Sequence, residues 1–227
     1  DDMVAVDDDE GRSKPRLEQA LTEGIRNVLE KQSTKICFST GHQEISIDDG
    51  GPQGLAELRF RLQKNNYESV LVDFSSPKPS VALTECQVLA VVGPEVPVSE
   101  KVAKQLTDYL LGGGNVLVMV NPVLDDDNRI RSTGLDPLGR AAGIELGNDF
   151  IIEKSEQARL PQGLGETFFA LPRAHGITSG LLKGDQARFK VMLSAAQSLR
   201  ATTGSAAQPL LNTSAEAFAL KDVRPFV

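Results

Sequence analysis

The sequence predicts an α/β domain built on a doubly wound parallel sheet. Between residues 33 and 122, short apolar runs alternate with stretches whose apolar residues recur every three or four positions, the signature of buried strands joined by amphipathic helices. The order strand, helix, strand, helix over about 90 residues calls for right-handed crossovers, which lay successive strands side by side and parallel. A run of three glycines, Gly112 to Gly114, separates the last of these helical stretches from the apolar run after it.

Taken in order, the chain begins with a short apolar stretch, Met3 to Val6, before the acid run Asp7 to Glu10, and residues 1–14 read as the exit strand of an upstream region. Asp1 is not a natural start, so the sequence is expected to be a piece of a longer chain. From Pro15, a residue tolerated in a first helical turn, Leu17, Ala20, Leu21, Ile25, Val28 and Leu29 mark an amphipathic helix ending near Gln32. Ile36 to Ser39 is the first strand of the core, Leu55, Leu58 and Leu62 mark a helix, and Val70 to Phe74 and Val88 to Val92 are the next strands. Ser99 suits the N-cap of a helix carrying Val102, Leu106 and Leu110 on one face. The glycines stop that helix, and Val116 to Val120 is the fourth strand. Residues 15–227 form one domain, with a core at 33–122 and a less regular second half at 123–227 that continues the theme. There, Asp136 to Ala142 reads as helix, and Phe150 to Glu153, Thr167 to Leu171, Phe189 to Leu193 and Leu210 to Leu211 read as strands. Residues 201–208 read as a surface loop, and no internal repeat is visible.

Composition narrows the partners. The 227 residues include 24 Lys+Arg against 31 Asp+Glu, a net charge of −7, with no basic block to neutralise a row of phosphates. Nucleic acid is therefore not an expected partner. No run of 18 apolar residues occurs, so no segment here is expected to span a membrane. Two cysteines, Cys37 and Cys86, are too few for a disulfide framework and lack zinc-site spacing. If the first and third strands are neighbours the two lie close, and a buried thiol pair is favoured over a bridge.

In an open parallel sheet, ligands gather beyond the carboxyl ends of the strands, where strand order reverses. With the order 2-1-3-4, the loops Thr40 to Glu44 and Gly93 to Pro97 flank that crevice, and Asn121-Pro122 follows the fourth strand. His42 and Glu44 are the sharpest candidates, since an imidazole and a carboxylate two residues apart could exchange protons. The bland reading, a turn made by Gly41 with His42 bonded to a neighbouring loop, is favoured. The binding candidates are Gly41, His42, Glu44, Gly93, Pro94, Asn121 and His175; no catalytic, metal or cofactor site is assigned.

Cys86 fails as a nucleophile because it precedes its strand, whereas the nucleophile elbow of doubly wound hydrolases lies just past a strand's carboxyl end. Asp125, Asp126, Asp127 and Asn128 lack the alternate spacing of a calcium loop and read as a solvated turn. The glycines at 112–114 follow a helix and precede a strand, the reverse of a phosphate cradle. His175 opens His175-Gly176-Ile177-Thr178, which by itself is a turn with a polar cap.

These residues, taken as an ordered set, carry a resemblance. Leu21-Thr22 in a helix, Thr40-Gly41-His42-Gln43-Glu44, Gly93-Pro94, Gly113-Gly114, His175-Gly176-Ile177-Thr178 and Leu210-Leu211-Asn212-Thr213-Ser214 together resemble the GldG-like family of gliding-motility auxiliary proteins, across most of residues 17–218. The family's usual Gly-His-Gly-Glu stands here as Gly41-His42-Gln43-Glu44, and its usual His-Pro-Ile-Thr as His175-Gly176-Ile177-Thr178. The resemblance implies a flavodoxin-like, class I glutamine-amidotransferase-like domain, held on the extracytoplasmic (periplasmic) face of the cytoplasmic membrane by helices outside this sequence. It implies ABC permease and ATPase subunits as partners.

Two functions are therefore expected to compete. The favoured one is a non-catalytic binding or scaffold domain of an ABC-transporter auxiliary, holding a polypeptide, a glycan or a partner subunit. The alternative is a hydrolase-like enzyme with His42 and Glu44 as acid and base.

Overall fold

A computed structural model describes residues 6–7, 13–14, 33–76, 81–182 and 191–224. The helix expected over Pro15 to Gln32, with its Leu21-Thr22, lies outside the described residues. Within the region read as an exit strand, β1 (Val6–Asp7) pairs antiparallel with β2 (Ser13–Lys14).

The core follows the alternation in the sequence. β3 (Thr34–Thr40) leads through α1 (Ala56–Lys64) to β4 (Tyr67–Asp73), and β5 (Val88–Val92) leads through α2 (Glu100–Leu111) to β6 (Val116–Met119). The four strands form one parallel sheet in the order β4-β3-β5-β6. This is the order 2-1-3-4 expected of the sequence.

Alternation along the strands sorts side chains to two faces. Cys37, Val72, Leu89 and Val91 pack with Val102, Ala103 and Leu106 of α2, whereas Phe38, Ala90 and Val92 pack with Ile47, Leu55 and Leu62 of the α1 segment. The helix α2 forms where it does because Ser99 Oγ accepts from Val102 N–H at 3.4 Å and Glu100 sits in the positive first turn. Its far end is anchored by Tyr109, whose hydroxyl donates to the Cys86 carbonyl at 2.9 Å.

Cys37 and Cys86 form a disulfide, with Cα atoms 5.6 Å apart, which corrects the expectation of two buried thiols. The reason is register. Ile36 pairs with Val88, and Gln87 N–H donates to the Lys35 carbonyl at 2.9 Å, so the chain entering β5 already runs alongside β3 and Cys86 shares the face of Cys37.

The second half does not extend the parallel sheet. Hairpin β7 (Val123–Leu124) and β8 (Ile130–Arg131) is followed by α3 (Asp136–Ala141), which packs on α2. Then β9 (Ile144–Leu146) pairs with β13 (Leu199–Ala201), β10 (Phe150–Ile152) with β15 (Phe218–Leu220), and β11 (Thr167–Pro172) lies between β12 (Val191–Ser194) and β14 (Leu211–Asn212). All these pairs are antiparallel.

Candidate functional site

The two strand-end loops meet. The His42 carbonyl accepts from both Glu95 N–H and Val96 N–H at 3.1 Å, Ile45 N–H donates to the Val92 carbonyl at 3.0 Å, and Gly93 N–H donates to the Met119 carbonyl at 2.7 Å. Glycine is required twice. Gly41 takes φ +118°, and a Cβ there would stand 2.8 Å from the Ser75 nitrogen; Gly93 takes φ +59°, and a Cβ would stand 2.8 Å from Ile45. The loops therefore interlock, with Ile45 against Gly93 and Pro94 buried beneath.

His42 and Glu44 point inward. Their side chains are 10% and 3% exposed, Nδ1 of His42 lies 3.6 Å from Oε1 of Glu44, and Oε2 of Glu44 accepts from the His42 main-chain N–H at 2.7 Å. Glu44 Oε1 has no hydrogen-bond partner among the described residues. The carboxylate thus folds its own loop back, and both side chains are largely withdrawn from solvent. At the neighbouring strand end, the Ser75 hydroxyl and N–H hold the Asp73 carboxyl below its ordinary pKa.

The remaining candidates are not gathered there. Asn121 is exposed just past β6, and no hydrogen bond or ion pair among the described residues joins Asn121 or His175 to His42. Nδ1 of His175 accepts from Ile177 N–H at 3.2 Å, while the buried Thr178 hydroxyl donates to the Arg173 and His175 carbonyls. That segment is a capped turn. In the acid run, Asp125 Oδ1 accepts from Asp127 N–H at 3.0 Å and Arg129 N–H at 2.8 Å, closing the β7–β8 hairpin.

A carboxylate that the sequence reading placed only as a strand's last residue is bonded through both of its oxygens. Glu153 is fully buried; Oε1 accepts from the Ser214 hydroxyl at 2.6 Å and Ser155 N–H at 2.9 Å, and Oε2 accepts from Ser214 N–H at 2.9 Å. Burial pushes its pKa up, but the Ser214 hydroxyl and the N–H groups of Ser155, Ser214 and Lys154 outweigh it and hold the carboxyl below its ordinary value. Its signal in sequence was an acid ending an apolar strand two residues before Ser155, with a second serine in Leu210 to Ser214.

Among solved structures, the chain is similar to one titled "mmIFT52 N-terminal domain", with a TM-score of 0.57 and 17% identity over 83% of this chain and 77% of that one. This is a likeness of fold. No curated protein matches. Residues 33–226 match the family described as "ABC-type uncharacterized transport system", a span that runs from β3 through the interlocked loops and the Glu153–Ser214 clasp to the end of the described residues. The chain belongs to that family, the GldG-like auxiliary components of ABC-type transport systems.

Proposed function

We propose that this chain is a non-catalytic binding or scaffold domain of an ABC-transporter auxiliary of the gliding-motility type, working beside a permease and an ATPase on the extracytoplasmic face of the membrane. The observation that carries the reading is the inward burial of His42 and Glu44, which withholds from solvent the imidazole–carboxylate pair that the sequence offers for acid–base work. The rival hydrolase needs both groups to meet a substrate. No thiol follows β5 either; Gly93 and Pro94 stand where an elbow nucleophile of an amidotransferase-like domain would be. The strand order β4-β3-β5-β6 supports a doubly wound, flavodoxin-like or amidotransferase-like ancestry for the scaffold.

Two further supports concern place and partners. The Cys37–Cys86 disulfide suits an oxidising compartment. The family places the chain in an ABC transport system, and anchorage by membrane helices outside these residues belongs to the same proposal. The test is purification of the tagged full protein from native membranes, with protease added to intact spheroplasts. Co-purification of an ABC permease and ATPase, with this domain cleaved from outside, is expected. A protease-protected domain that purifies without either subunit would overturn the proposal.

A further inference from the structure

We propose that the second half of the chain carries a binding site for a small amphipathic carboxylate, one with an aromatic or medium-chain aliphatic body. The site is in the β10–β15 ribbon and shares no lining residue with the strand-end loops, and the proposal stands independently of the scaffold reading. Register builds its floor. Phe150 pairs with Leu220 and Ile152 with Phe218, so these four apolar side chains share one face of the ribbon while Ile151 and Ala219 take the other.

Leu124, Leu164 and Val223 stand around that face and enclose with it a cavity of about 500 Å³. The volume and apolar lining are those of small-ligand pockets. Two of the walls are open to water at a cost: Leu164 is 65% exposed and Leu124 39%.

Charge at the rim selects the head group. Lys154 continues β10 and holds its Nζ 4.7 Å from the Phe218 ring centroid, with no carboxylate partner among the described residues. Arg159 lines the same cavity, and its ion pair is with Glu156, which is exposed and 4.0 Å away. The lone acid of the lining, Glu166, is engaged by Leu164 N–H at 2.6 Å. Lys154, with no carboxylate partner among the described residues, and Arg159, held at 4.0 Å only by an exposed glutamate, set two cationic head groups at the edge of the apolar floor. A carboxylate with an apolar body satisfies both, an alcohol leaves the cations unpaired, and an amine is repelled.

The test is isothermal titration of the 227-residue chain with 4-phenylbutyrate, 4-phenylbutanol and 4-phenylbutylamine, which share one body and differ in the head. The carboxylate is expected to bind at least about tenfold more tightly than the other two, the worth of one charge-assisted bond. The double variant Lys154→Glu, Arg159→Glu should abolish that preference. Leu164→Glu, placed on an exposed wall where folding does not depend on it, should lower affinity for the carboxylate and spare the amine. Absence of saturable binding, equal affinity for the three probes, or a preference unchanged in the double variant would overturn the site.

Discussion

The main-chain N–H of His42 donates to Oε2 of Glu44 at 2.7 Å, and the backbone between them bends so far that Gln43 takes φ +57°. The bond and the bend occur together: the left-handed turn at Gln43 brings the Glu44 carboxylate back to the His42 N–H. In the family's usual Gly-His-Gly-Glu, this is the position of the second glycine. A left-handed conformation costs an L-residue about 1–2 kcal/mol, part of which glycine returns as unfolded-state entropy. Gln43→Gly is expected to stabilise the domain by about 0.5–1 kcal/mol, a rise of roughly 1–4 °C in a calorimetric melt. Gln43→Val should move the melt the other way.

The disulfide makes a second prediction. Cys37 and Cys86 are 49 residues apart in sequence, and closing a loop of that length restricts the unfolded chain by about 4 kcal/mol in the chain-entropy account. Protein purified without reductant should show no thiol reactive to Ellman's reagent even in denaturant. The Cys37→Ser, Cys86→Ser variant should melt roughly 8–16 °C lower. A wild-type melt insensitive to reductant, with both thiols shown to be reduced, would refute the bridge's stabilising role.

Glu153 sets a pH dependence whose direction follows from its depressed pKa. The carboxyl sits below its ordinary value of 4.5 in the folded chain, so its contribution is complete above that value and is lost as pH falls through the folded pKa. Glu153→Gln keeps the shape but removes the charge that four donors address. It should cost about 1.5–3 kcal/mol at neutral pH. Melts of the variant from pH 7 to pH 3 should show a smaller acid-induced fall than wild type; parallel curves would remove Glu153 from the account.

Where structure is decided locally, it was readable from sequence. The bounds of β5 and the Ser99 cap of α2 follow from an apolar run and a hydroxyl before a helical period, features that need no distant partner. The parallel order was also legible, because crossover handedness leaves few choices. The Cys37–Cys86 bridge was not, since it depends on the register between β3 and β5. Nor were Ile144–Leu146, Leu199–Ala201 and Phe218–Leu220, three-residue strands too short to show a period and defined only by partners 53 to 70 residues away. His42 and Glu44 were found as a pair. Their inward burial was hidden, because it depends on a neighbouring loop that is distant in sequence and whose Glu95 and Val96 N–H groups bond the His42 carbonyl.

The central claim, that the strand-end loops are a structural clasp and not an acid–base site, is tested most directly by the thermal melts of His42→Ala and Glu44→Ala. Glu44→Ala strips the His42 main-chain N–H of its acceptor and His42→Ala empties a buried position beside Glu44, each at a cost of about 1–3 kcal/mol. For a domain of this size, that predicts melts lowered by roughly 2–12 °C, with the fold intact below the transition. Melts equal to wild type, accompanied by loss of a hydrolytic activity or of permease capture, would contradict the account and make His42 and Glu44 working groups of an open site.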